Sequence, residues 1–187
     1  RKFKGPGFKF SVDNVRNVPP EVQLCLLHLP AFEGRILFPN SGNSPLLPAC
    51  TASLNDDASV TVHEIDSHDF SAVQTTLTEY ENIDFVLSPD LESSDDENQM
   101  AIFCISTSSD RLLCLDIIER LNHIMTAGSK VLISMAKKRY KDLIKKLNKE
   151  FSGGQVVDRS RDAVLFTAKT DKTKDKWTPR ENSVNVD

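Results

Sequence analysis

Residues 100–106, Met100-Ala101-Ile102-Phe103-Cys104-Ile105-Ser106, are almost wholly apolar. A run of this length and character reads as a strand buried on both faces, as in a parallel sheet. The segment Ser109–Met125 follows as a helix, with Leu112, Leu115, Ile118 and Leu121 on one stripe, and Ala127-Gly128 ends it. Lys130–Met135 repeats the strand. Lys137–Phe151 is then a basic amphipathic helix, with Tyr140, Ile144, Leu147 and Phe151 turned inward, and Ser152-Gly153-Gly154 stops it. The pattern changes after that. Gln155–Asp158 and Ala163–Ala168 flank a four-residue turn, which predicts an antiparallel hairpin.

Upstream, the same alternation holds. Arg35–Phe38, Val60–Ile65 and Ile83–Leu87 read as strands, and Pro45–Leu54 and Ser67–Tyr80 as the helices between them. Pro19 and Pro20 open a further helix that Pro30 and Gly34 close; Val22, Cys25, Leu26 and Leu29 share its face. Strands alternating with helices imply a mostly parallel sheet covered on both sides. The chain divides into a basic arm or linker at 1–18, one α/β domain at 19–168 and a polar tail at 169–187 whose one large apolar residue is Trp177.

Composition narrows the function classes. The 187 residues carry 23 Lys and Arg against 27 Asp and Glu, a formal charge of −4. That excludes a nucleic-acid binder that works by bulk positive charge, though not a local basic patch. No apolar run approaches the roughly 18 residues of a membrane span. The cysteines Cys25, Cys50, Cys104 and Cys114 lack C-x-x-C spacing, and the histidines are scattered, so no metal site is expected. Reduced, buried thiols point to an intracellular protein, cytoplasmic or nuclear.

Alternating β-α units that end in a hairpin resemble the class I S-adenosylmethionine-dependent methyltransferases, whose seventh strand runs antiparallel. The resemblance covers roughly residues 30–168 and is carried by 100–106, the helix after it, Ala127–Ile133 and the basic helix. It implies a doubly wound, mostly parallel α/β sheet that closes with an antiparallel hairpin. The hairpin argues against the rival, a bare five-stranded domain of flavodoxin or receiver type.

The resemblance also says where a cofactor would sit. After the first strand of the sheet the family has an acidic residue followed by G-x-G-x-G, because glycine lets the backbone approach the ligand with φ > 0. Here the stretch is Phe38-Pro39-Asn40-Ser41-Gly42-Asn43-Ser44-Pro45, with Gly42 alone and no acid. A carboxylate at the end of the second strand would take the ribose hydroxyls. Glu64 or Asp66 fits, and Asp66 follows the last strand residue; an Asp there is equally a helix N-cap. After the fourth strand, Ser106-Thr107-Ser108-Ser109 lacks the aromatic of an N/D-P-P-Y/F site, and Ser88-Pro89-Asp90 is at best a remnant of one. His63 beside Asp66 or Asp69 could pass for a base and its orienter. No nucleophile elbow or phosphate loop is present.

Charge marks two further places. Lys137, Lys138, Arg139, Lys141 and Lys145 would face water on the basic helix, where they suit RNA or a protein partner, or are simply its solvated side. Phe3, Phe8 and Phe10 interleave with basic residues of the arm. The acidic loop Asp90-Leu91-Glu92-Ser93-Ser94-Asp95-Asp96-Glu97 places an acid three residues after Ser93 and Ser94, the pattern of acidophilic kinase substrates. The sequence therefore reads as a methyltransferase-like interaction module without catalysis or cofactor, a subunit of a protein or protein–RNA assembly. The alternative is an active S-adenosylmethionine-dependent methyltransferase on RNA or protein, using Gly42 and Asp66. A third reading is a doubly wound module for a nucleotide or phosphorylated ligand.

Overall fold

A computed structural model of the chain describes residues 2–5, 8–11, 18–42, 45–91 and 99–171. Ser93, Ser94 and Trp177 lie outside them. Among the described residues nine strands and five helices follow one another as β1 (Lys2–Gly5), β2 (Phe8–Ser11), α1 (Pro20–Leu26), β3 (Arg35–Pro39), α2 (Leu46–Leu54), β4 (Ser59–Glu64), α3 (Ser67–Thr76), β5 (Ile83–Leu87), β6 (Met100–Ile105), α4 (Arg111–Ile124), β7 (Lys130–Ala136), α5 (Lys137–Glu150), β8 (Ser152–Arg159) and β9 (Ala163–Lys169). The stretch read as an arm contains a small antiparallel pair of its own, β1 with β2, in which Phe3 stands opposite Phe10.

Seven strands form the main sheet in the order β5-β4-β3-β6-β7-β9-β8. β5, β4, β3, β6 and β7 are parallel, and β9 inserts antiparallel between β7 and β8. The expected hairpin is there, and longer than its sequence signal.

Strand alternation divides the core into two layers. Ile36, Phe38, Val60, Val62, Met100 and Ile102 pack with α1, α2 and α3 on one face. Leu37, Ala101, Phe103, Val131, Ile133 and Phe166 pack with α4 and α5 on the other. Successive side chains of a strand point to opposite faces, so neighbours such as Ile36 and Leu37 serve different layers. The apolar stripe of α4 differs from its expected course. Leu112 is 64% exposed, and Cys114, Ile117, Ile118 and Leu121 are the buried set. Asp110 caps the helix by accepting from Leu113 N at 2.8 Å, which leaves Leu112 in the first turn, outside the packed layer. On α5, Leu143 and Leu147 are fully buried, while Tyr140 and Ile144 are half-buried.

Gly154 lies in the irregular stretch of β8 between Ser152 and Gln155. A Cβ there would sit 2.6 Å from the Phe166 ring and 3.0 Å from Asn148 Oδ1. Phe166 is 1% exposed and has no room to retreat. Gly154→Ala is expected to lower stability by about 1–3 kcal/mol in urea unfolding, with the native circular dichroism spectrum kept.

Candidate functional site

A cavity of about 390 Å³ opens at the C-terminal ends of β3 and β6. In an open α/β sheet this rim is where ligands bind. Its floor is Phe38, Ile102 and Cys104; one wall is the loop Pro39-Asn40-Ser41-Gly42 with Asp69, and the other is Pro19, Glu21 and Val22 of the α1 segment. Ser106, Ser108 and Ser109 close the side beyond β6.

The loop after β3 keeps a glycine-type backbone with one glycine. Asn40 has φ +49° and Gly42 φ +61°. Asn tolerates the left-handed region better than other side chains, because its short amide can bond locally. Of the glycines implied by the resemblance Gly42 alone is present, and Asn40, two residues before it, shares its positive φ. Asn40 N–H also donates to the His63 carbonyl at 2.7 Å, continuing the ladder between β3 and β4.

Three carboxylates stand near this loop, each in a different role. Glu64, the last residue of β4, has no exposed surface. It accepts a hydrogen bond from Ser41 Oγ and another from Gly42 N–H at 3.2 Å. Burial pushes its carboxyl up to about 7, against the pull of those two bonds. Asp66 is exposed and caps α3, accepting from His68 N at 2.8 Å and Asp69 N at 3.1 Å. Those bonds hold its carboxyl below the usual range. Asp66 does not line the cavity; Asp69, three residues on, does. A Cβ on Gly42 would lie 3.9 Å from Asp69 Oδ2, so loop and carboxylate are neighbours. On the loop side of the cavity the lining carboxylate is Asp69, with Glu64 bracing the loop behind it.

The residues beyond β6 form a closed hydroxyl cluster. Ser106 Oγ lies 2.8 Å from Ser108 Oγ and 3.1 Å from Ser109 Oγ. Arg139 reaches over from α5 and donates through Nη2 to the carbonyls of Thr107 and Ser109. It is therefore a fastener of this loop rather than a free surface cation. Lys137, Lys138, Lys141 and Lys145 are exposed. Arg159 sits 5.3 Å from the Tyr140 ring centroid, and Lys137 N–H donates to the Asp162 carbonyl at 2.8 Å. The β8–β9 turn thereby brings Arg159 and Arg161 to the start of α5, a pairing that no sequence spacing announces.

The other polar candidates fall elsewhere. His63 is 3% exposed, and its Nε2 lies 3.2 Å from the Asp90 carbonyl rather than in a bond to Asp66 or Asp69. Burial lowers its pKa, so it stays neutral near pH 7. Cys104 is hydrogen-bonded to Cys25; that bond and burial keep it a thiol. Asp66, His68 and Asp69 bring ligand-type atoms within 4.8 Å of one another, an arrangement that exposed acids at a helix start adopt without an ion. No helix among the described residues is long and apolar enough to cross a membrane.

Several solved structures with a similar fold are methyltransferases. A predicted O-methyltransferase from Agrobacterium tumefaciens superposes with a TM-score of 0.58 at 16% identity, over 72% of this chain and 73% of its own. An rRNA methylase from Streptococcus thermophilus gives 0.56 at 13%, over 76% and 90%. The fold is that of the class I methyltransferases. Fibrillarin from Aeropyrum pernix, solved with natively bound S-adenosyl-L-methionine, gives 0.56 at 16% identity, over 77% of this chain and 70% of its own. Neither a protein-family model nor a curated protein sequence matches the chain.

Glu64 supplies a pH test of this loop. Its carboxyl ionises far less readily folded than unfolded, so it favours the folded state at low pH. That contribution fades as pH rises from the ordinary carboxylate range through about 7. Between pH 4.5 and 8 the wild type is expected to lose up to about 3 kcal/mol relative to Glu64→Gln, which cannot ionise. Urea unfolding at each pH measures the difference; parallel profiles would contradict it.

Proposed function

We propose that this protein is an S-adenosylmethionine-dependent methyltransferase acting on RNA. The observation that carries the reading is the open cavity over β3, walled by a loop whose Asn40 and Gly42 both hold positive φ. Those residues would hold the methionine portion of the cofactor close to backbone, and Asp69 would accept from the ribose hydroxyls. Bound there, the cofactor supplies an electrophilic methyl group. The fold is shared with fibrillarin that carries this cofactor and with an rRNA methylase. The RNA part rests on the cations at the same rim. Lys137, Lys138, Lys141, Lys145, Arg159 and Arg161 are exposed, with Asp142 and Asp162 the exposed acids among them. Such a surface favours a phosphate backbone.

A second reading has its own observation. Phe38, 2% exposed, stands where the family pattern has an acid, and the Glu64 carboxylate is already engaged by Ser41 and Gly42. A loop that satisfies itself in this way suits a module that binds a protein partner and no cofactor.

Calorimetric titration separates the two. S-adenosylmethionine and S-adenosylhomocysteine should bind with micromolar Kd, and Asp69→Ala should weaken both by about tenfold or more, the loss of a hydrogen bond to a charged group. An absence of binding at millimolar ligand would leave the module. Fluorescence anisotropy with a single-stranded RNA tests the substrate side. Lys141→Glu with Lys145→Glu should weaken binding and flatten its log–log salt dependence by about 0.7 for each phosphate no longer neutralised.

A further inference from the structure

One carboxylate of the cavity has no part in the cofactor side. Glu21, in the first turn of α1, is 4% exposed and lines the wall opposite the 39–42 loop. Among the described residues no Lys, Arg or His pairs with it; its own backbone N–H is the donor it has. Polar groups lining the same cavity are engaged with one another: Ser106 Oγ bonds the Oγ atoms of Ser108 and Ser109, and the Cys104 thiol is taken by Cys25. Ser134 Oγ donates to the Glu21 carbonyl, which pins the backbone and leaves the carboxyl side chain free of that bond. An ionised carboxylate only accepts hydrogen bonds, and a buried one without donors is costly. The donors that face this carboxyl across the cavity come from its contents, water in the empty cleft and a ligand once one is bound.

We infer that Glu21 is the substrate-side anchor of the cleft and receives a nucleobase through its amino and ring N–H groups. The inference rests on the reading of this cavity as an RNA methyltransferase site. Carboxylates pair with nucleobase amino groups, as with the N4 amino group of cytosine. Pro19, Val22, Phe38 and Ile102 supply apolar surface in the same cavity for a flat ring. A lysine or arginine side chain of a protein substrate would also satisfy a carboxylate. The exposed Lys137 and Lys138 beside the Arg139-fastened loop make the approach of a cationic peptide unfavourable and that of a polyanion favourable.

The test is an NMR titration of protein carrying carbon-13 in its glutamate carboxyls, with the Glu21 resonance assigned by its loss in Glu21→Gln. Adenosine, guanosine, cytidine, uridine and N-acetyl-lysine amide are the probes, each added with and without saturating S-adenosylhomocysteine. At least one amino-bearing nucleoside should shift the Glu21 signal saturably. Glu21→Gln should weaken that nucleoside at least about fivefold, read on the Ser106 and Ser109 amides, and leave S-adenosylhomocysteine affinity unchanged. Glu21→Asp, which keeps the charge, should retain part of the binding and controls for folding. An unmoved Glu21 signal with every nucleoside, or a saturable shift with the lysine derivative alone, overturns the inference. Failure of S-adenosylhomocysteine to bind while a nucleoside still shifts Glu21 overturns the cofactor reading and leaves the anchor standing.

Discussion

A carboxylate with no exposed surface holds the loop on which the cleft depends. Glu64 ends β4 inside the sheet, and among the described residues no Lys, Arg or His pairs with it; it is held by Ser41 Oγ and Gly42 N–H. Those two bonds fix the turn after β3, where Asn40 and Gly42 take positive φ. A loop held this way stands as a wall instead of falling across the strand ends. A buried acid of this kind is tolerated because it is hydrogen-bonded and its proton affinity rises with burial. The strand pairing between β3 and β4, with Pro39 opposite His63, brings bracing residue and loop into one register.

The opposite side of the cleft depends on a different join. β9 lies between β7 and β8, which carries the β8–β9 turn back to the start of α5. From there Arg139 secures the carbonyls of Thr107 and Ser109 beyond β6. Helix α1 lies on the layer formed by β6, β7 and β9 and brings Glu21 to the cavity. The two walls of the cleft thus belong to separate elements that meet over β3 and β6.

Much of this fold is legible in the chain because its signals are local. The apolar run at 100–106, the helix spacing after it and the four-residue turn before Ala163 each state their element within a few residues. The site is less legible, for physical reasons that differ by residue. Asn40 takes a positive φ that is usual for glycine because an amide side chain tolerates the left-handed region, so a search for glycine passes over it. Asp66 and Asp69 are one helical turn apart, and only the angle of α3 against the sheet decides which faces the cavity. Glu21 does leave a signal: it stands four residues before Cys25, on the apolar face of a short helix. Arg139 reads as part of a solvated face, but a long side chain can reach back across its own helix start. Leu112 keeps the helical spacing yet stays exposed, because the first turn of α4 overhangs the packed layer.

The most direct test of the cleft as a cofactor site is a crystal structure grown with S-adenosylhomocysteine. The account predicts the ligand over the ends of β3 and β4, its amino-acid portion against the Asn40–Gly42 backbone and its ribose on Asp69. Glu64 should still be bonded to Ser41 behind it. Ligand bound elsewhere on the rim, or a cleft left empty at saturating ligand with the 39–42 loop unchanged, would contradict it.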